Sequence, residues 1–509
     1  MLASTTKSAA LGSQSEEDMT GKASPVKVPN IDVERAACDA SDSDRAAFER
    51  RIMRRIDLRM LPLLGLLYSL ALIDRTNLGV ARIAGMGEDL DLSVGARYSV
   101  VSCVYFIPYI LLELPSNVFL RTFGTRNLLS FCVVAWGAVQ LAMAFVPSWK
   151  YLALCRVLLG AFEAGFFPAL VFIITTWYRR HEVQKRCVYL PIITLFRIFT
   201  VSRLAAFYLI SILTGGFSAI LAYGISQLAG RAGLNGWSWI FVIEGALTVV
   251  FGCVAWAFLP EFPDNNTFLN SDEKKFVLQR IEEDRGDSLP DTATMWKVLH
   301  HMSDWKIWVY GIMFMCATIP AYAIGFFVTV ILSGMGWNLE LALLLSAPPY
   351  VFAAFSVFVF AWLSDHFRSR AFFLAVQTLL TLVGFIITGF GHQPGWRYFG
   401  LFLGNAGSAG CIPGILAYSS NNIVSHSKRA VTTAIIISFG GLGGIIATTI
   451  FRQEDFPRYI PGIIATISCQ VLLLVLLGVL TLHFWYQNKA KRNTAQGSPG
   501  GRIDFLYTL

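Results

Sequence analysis

The chain has 509 residues, of which 55% are hydrophobic, 14% aromatic and only 15% charged. A water-soluble chain carries about 25% charged residues, so this apolar surplus excludes an aqueous globule, and the chain is far too long for a single-anchor protein. The net charge of +8, from 41 Lys and Arg against 33 Asp and Glu, comes largely from cations flanking apolar runs, where it sets topology and does not mark a nucleic-acid surface.

Residues 1–50, rich in Ser, Ala and Asp without apolar periodicity, read as a disordered N-terminal tail. No signal peptide is expected, because the first apolar run begins near Met60. Twelve spans of membrane-crossing length follow, at about 60–80, 98–118, 128–147, 151–176, 204–226, 238–259, 306–332, 341–363, 371–390, 398–419, 430–450 and 462–485. Their unbroken apolar character predicts an all-α membrane protein and excludes a β-barrel, whose strands alternate. The polar stretch 261–304 separates two six-helix bundles, 51–260 and 305–486. Phe276, Val277 and Ile281 within it predict a short amphipathic helix. Residues 487–509 form a C-terminal tail.

Thirteen Lys and Arg, among them Arg121, Arg126, Arg179, Arg180, Arg368, Arg370, Lys428 and Lys491, fall in loops on the same side as the termini, against seven on the opposite side. The positive-inside rule then places both termini in the cytoplasm. Residues 187–203 do not fit as a further span: the stretch is short, carries Pro191, Arg197 and Arg203, and would invert every later loop. It reads as an atypical insertion. The nine cysteines are scattered without CxxC or Cys/His spacing, so neither a disulfide framework nor a zinc site is indicated.

A charge at mid-membrane costs on the order of 2.5–3.5 kcal/mol on insertion scales, which makes intramembrane ionisable residues functional candidates. Here they concentrate in the first bundle: Asp74 and Arg75 in the first span, Glu113 in the second, Arg156 and Glu163 in the fourth, Glu244 in the sixth. At about 1.5 Å per residue, Asp74 and Arg75 lie some 20 Å along their helix, Arg156 roughly 7 Å below the far surface and Glu163 near the midplane. Arg156 and Glu163, two helical turns apart, share a face. The simplest pairing joins Asp74 to Arg156 and leaves Arg75 facing Glu163.

Such a cluster can couple a proton to an anion, since an anion that takes over the arginine's charge leaves the carboxylate free to bind a proton. The other reading is a static ion-pair network that holds the bundle. Buried pairs are costly and poor stabilisers, which favours coupling. Glu113 and Glu244, beside Pro115 and Gly245, read as structural. In the second bundle Tyr322, Tyr350 and Asn405 are candidates for an uncharged substrate lining, while the glycines at 404–414 and 439–444 also suit close helix packing.

Six plus six helices around a long central loop describe the major facilitator superfamily. From about residue 55 to 490 the sequence resembles the fungal anion:cation symporters, the allantoate-permease-like transporters, in LIDRTNLGVA (72–81), ELPSN (113–117), RVLLGAFEAGFFPA (156–169), NGWSWIFVIEG (235–245), APPY (347–350) and PRYIPG (457–462). The resemblance implies proton-driven uptake of a small organic anion such as allantoate or a carboxylate vitamin, with Asp74 and Glu163 handling the proton and Arg75 and Arg156 the anion. It also implies a cytoplasmic gate at Asp365, Arg368 and Arg370, in SDHFRSR (364–370), the better preserved of two degenerate copies of the superfamily's loop motif, the other being RTFGTRN (121–127). No cofactor or metal is expected, and the partners are the substrate anion, the proton and the bilayer. The protein is expected to act as a monomer, in the plasma membrane. Export of a secondary metabolite and nutrient sensing without transport are the competing functions. No P-loop, HExxH or GxSxG is present, so an enzyme is not expected.

The 187–203 segment departs from the family pattern: without it, HEVQKR runs directly into LAAFYLIS, as in relatives. Its 17 residues correspond to 51 in-frame nucleotides, the length of a short fungal intron. Sequencing the mature transcript should find those codons missing; a cDNA that contains them refutes the reading.

Overall fold

In a computed structural model, the described residues are 42–166, 169, 170, 173, 177, 203–261, 268–285, 300–367, 369–423, 426–496 and 507. They form helices joined by short turns: α1 Asp42–Ala81, α2 in two segments (Arg97–Cys103 and Phe106–Phe123), α3 Thr125–Met143, α4 Trp149–Glu163, α5 Arg203–Ser226, α6 Gly236–Phe258 and α7 Ser271–Arg285. After the central region come α8 Trp305–Ser333, α9 in two segments (Leu339–Leu344 and Ala347–Phe367), α10 Arg370–Phe390, α11 Pro394–Asn421, α12 His426–Ile450 and α13 Ile460–Gln496. Among the described residues there is no strand.

Nine of these helices are long and apolar enough to cross a membrane within the described residues. The three remaining predicted spans fall on α2, which is broken at Val104-Tyr105, on α4, where the predicted span 151–176 includes residues outside those described, and on α5, whose Ile212–Ser226 part is a shorter apolar helix. Helix α1 begins at Asp42, inside the stretch predicted as tail. The amphipathic helix predicted in the central region is α7, with Asp272 and Glu273 in its first turn, where acidic groups suit the helix dipole, and with Val277 buried. Of the 187–203 insertion only Arg203, the first residue of α5, lies within the described residues.

Residues Asp57–Leu509 form one compact unit, and Met1–Ile56 another. Large apolar side chains such as Leu111, Phe131, Phe355, Trp362 and Phe372 are exposed, as suits helices whose solvent is lipid. Against lipid, burying a side chain between helices gains little hydrophobic energy, so close backbone approach has to supply the attraction. Glycine allows that approach. A Cβ on Gly245 of α6 would stand 2.6 Å from the backbone nitrogen of Leu141 in α3, and one on Gly384 of α10 would stand 2.2 Å from that of Gly404 in α11. The two bundles meet in the same way, Gly441 and Gly444 of α12 receiving Ile110 and Phe106 of α2. One hydrophobic cluster spans both bundles, joining Leu78, Tyr98 and Phe106 to Phe326, Phe327, Phe451 and Tyr459.

Just ahead of α8, Asp304 accepts from the Lys306 backbone N–H at 3.1 Å and from Lys428 Nζ, at the start of α12, at 2.5 Å. Burial alone would raise its carboxyl, but the hydrogen bonds from Lys428 and Lys306 outweigh it and hold the group below the ordinary aspartate range.

The glycine contacts give a test. Gly384→Ala should destabilise the purified protein by about 1–3 kcal/mol, the usual cost of overpacking a tight contact. Gly478→Ala on α13, where a Cβ meets nothing within 4 Å, should leave thermal unfolding unchanged or raise its midpoint.

Candidate functional site

Helix α1 places its two adjacent charged residues on different faces, because successive side chains turn by about 100°. Asp74, 1% exposed, points toward α3. There it accepts from Trp136 Nε1 at 2.9 Å through one oxygen and from Gln140 Nε2 at 3.0 Å through the other. Trp136 and Gln140 are one turn apart, so a single face of α3 supplies both donors.

Arg75 turns toward α4. Its Nε and Nη2 both reach Oε1 of Glu163, at 2.7 and 2.6 Å. The other Glu163 oxygen accepts from the Tyr105 hydroxyl of α2 at 2.7 Å, so both carboxylate oxygens are engaged. The Arg75 guanidinium also lies over the rings of Tyr105 and Tyr109, 5.5 and 5.0 Å from their centroids. Exposure divides the pair: the Arg75 side chain keeps 17% of its surface accessible and Glu163 only 2%. Gly160, one turn before Glu163, draws α4 onto α2, since a Cβ there would stand 2.1 Å from the Tyr105 carbonyl oxygen.

Arg156 shares the buried face of α4 with Glu163. It is 1% exposed, and its Nε and Nη2 have no hydrogen-bond partner. The pairing of Asp74 with Arg156 expected from depth is therefore corrected: depth gives height along a helix and not direction around it, and Asp74 faces α3. The pairing of Arg75 with Glu163 is present as expected.

From the second bundle, Tyr322 of α8 comes up to this cluster. Its ring meets Phe106 of α2 edge-on at 5.1 Å and stacks on Phe326 at 6.3 Å. Tyr350 lies apart from it, against Gly215 and Gly216 where α9 crosses α5. Asn405 is buried in α11 with its amide nitrogen unpartnered, amid glycines that pack on α10. Arg370 opens α10, while Arg368 and the side chain of Asp365 lie outside the described residues. Among the described residues no group of three His, Cys, Asp or Glu is placed to hold a metal ion.

Charge and depth along the spans do not single out Tyr105, Tyr109, Trp136 and Gln140. Each left a signal: Tyr105 and Tyr109 stand one turn apart in the second span, and Gln140 is a lone amide in an apolar run with Trp136 one turn before it.

Removal of Arg156 separates the two readings of the cluster. Taking one cation from a set of buried charges lowers stability under either reading, so the discriminating readout is transport: Arg156→Met should abolish transport while the purified protein still unfolds in a cooperative thermal transition. A static structural role demands that transport be lost only where that transition is lost as well.

The model of the Major Facilitator Superfamily matches residues 64–448. Among curated proteins, the MFS-type transporter efuF of Hormonema carpetanum is 31% identical over 89% of this chain and 89% of its own length. The high-affinity nicotinic acid transporter of Saccharomyces cerevisiae is 27% identical over 89% of this chain and 81% of its own. Among solved structures, a bacterial homologue of the human lysosomal transporter Spinster, inward-facing and occupied, aligns with a TM-score of 0.62 at 16% identity, over 83% of this chain and 96% of that one.

Proposed function

The chain belongs to the Major Facilitator Superfamily and is a multi-pass membrane transporter, and from that premise we propose that it takes up a small organic anion together with a proton by alternating access. The observation that carries the reading is the combination at α1 and α4: Glu163 neutralised by Arg75, with a second buried guanidinium, Arg156, whose Nε and Nη2 have no hydrogen-bond partner, two turns away.

An entering carboxylate finds in Arg156 a cation with unmet donors and in Arg75 one that is partly accessible. As the anion takes over the charge of Arg75, Glu163 is left as a carboxylate without its cation in a nearly water-free place, and binding a proton removes that cost. The Tyr105 hydroxyl can serve both forms, donating to the carboxylate or accepting from the acid. One anion and one proton leave the net charge of the cluster unchanged, so the loaded site crosses the low-dielectric interior at the same electrostatic cost as the empty one. Asp74 sets the background charge and takes part in proton handling.

Tyr322, Tyr350 and Asn405 form the uncharged wall in the second bundle, and Asp365, Arg368 and Arg370 the cytoplasmic gate. The protein acts as a monomer in the plasma membrane, with both termini in the cytoplasm. The relative that carries nicotinic acid makes small aromatic or aliphatic carboxylates the first substrates to try.

Labelled carboxylates should be screened for uptake against external pH in yeast lacking its own carriers. Accumulation should rise as external pH falls. Glu163→Gln, still reaching the membrane, should lose proton-driven accumulation while keeping exchange of labelled for unlabelled substrate. Full proton-driven accumulation by that variant overturns the mechanism.

A further inference from the structure

Glu244 of α6 is as buried as Asp74, at 1% exposure, yet neither of its carboxyl oxygens has a hydrogen-bond partner. Asp74 and Glu163 already stand against Arg75 and Arg156, and Glu113, 4% exposed, is a further carboxyl on which Arg75 acts. An ionised Glu244 would add negative charge with no cation left to balance it, sealed from water and without a donor, which is the most expensive way to bury a carboxyl group. As a neutral acid it needs only one acceptor for its O–H.

An acceptor of that kind is buried at the same level of the neighbouring helix. Close approach at Gly245, whose Cβ would stand 2.6 Å from Leu141 N and 3.0 Å from Gly137 O, sets α6 against α3 at the level of Gln140. The Gln140 amide gives its N–H to Asp74 at 3.0 Å, while its oxygen is buried without a partner. A donor without an acceptor and an acceptor without a donor thus lie on facing helices, on either side of an amide whose other end holds Asp74. Asp74 on α1 is the charged group that acts on Glu244, and the α3 residues that face it here, Leu141 and Gln140, do not titrate.

We propose that Glu244 is a positioning residue held as the protonated acid, its O–H donating to the Gln140 oxygen so that the amide presents its N–H to Asp74 and keeps that carboxylate ionised. Hydrogen bonds in series polarise one another, so the strength of the Gln140 bond to Asp74 depends on the acid behind it. The inference rests on the reading that Asp74 takes part in proton handling, and it adds the group that fixes the charge state of Asp74.

The test uses the full chain in liposomes. Infrared spectra at neutral pH should show a carbonyl component of a protonated carboxylic acid that is lost in Glu244→Gln and retained in Glu113→Gln and Glu163→Gln. Uptake of labelled nicotinate, or of whichever carboxylate the screen returns, should keep its pH profile in Glu244→Gln, because glutamine is neutral and can still donate to Gln140. The profile should shift in Glu244→Met, which cannot donate. If Glu244→Met does not fold, Glu244→Ala, which also cannot donate and leaves the Gln140 bond to Asp74 in place, should shift the profile likewise. Persistence of that component in Glu244→Gln, or a profile that shifts in Glu244→Gln, overturns the proposal. The band is read without substrate, so a failure of the symport reading, seen as proton-driven uptake by Glu163→Gln, is distinguishable from a failure here.

Discussion

A guanidinium in the interior of a membrane bundle is costly unless negative charge meets it, and the placement of Arg75 against Glu163 is the constraint around which the first bundle is arranged. The pair joins α1 to α4. The hydroxyl of Tyr105 on the second Glu163 oxygen, and the rings of Tyr105 and Tyr109 beside Arg75, bring α2 into the same arrangement. Three helices are thereby set in register by one carboxylate. Apolar side chains of similar volume would hold helices together at least as well, so stability alone does not account for the pair.

Charge and packing divide between the bundles. Within the predicted spans, buried carboxylates and guanidiniums fall in α1, α2, α4 and α6, whereas α8 to α12 are brought together by glycine and small residues, with Gly384 against Gly404 and Gly443 against Thr318. Dispersion needs many atoms in close contact, and lipid offers no hydrophobic drive to assist it. The contact of α12 with α2, at Gly441 and Gly444, belongs to the packing kind although it joins the two bundles. Under alternating access this is an interface that has to loosen and reform. Close packing without ion pairs lets it do so without exposing a buried charge.

The helices were legible because membrane thickness turns composition into length: a run of about twenty apolar residues can hardly be anything else. What that rule does not carry is where a helix breaks. The interruptions at Val104-Tyr105 in α2 and at Leu345-Ser346 in α9 leave the apolar run intact and so leave no trace in it. The site was half legible for a related reason. Height along a helix follows from counting residues, which set Asp74 and Arg75 level with Arg156 and left Arg75 for Glu163 as the remaining cation. Direction around the bundle does not, and a search for opposite charges sent Asp74 to Arg156 when its partners are the neutral donors Trp136 and Gln140. The glycines at 404–414 pack helices, as the plainer of two readings had it, and Asn405 among them stays a proposed contact.

That misplaced pairing bears on the mechanism. Had Asp74 closed on Arg156, all four charges would form two neutral pairs, and an arriving anion would have to break one before gaining anything. With Asp74 satisfied by an indole and an amide, Arg156 keeps buried donors unmet, a cost that on the proposed cycle a bound anion removes. Binding energy is then available to draw Arg75 from Glu163, and only a ligand with negative charge can supply it. On the proposed cycle, selectivity for anions arises from what Trp136 and Gln140 do to Asp74, before any residue touches the substrate.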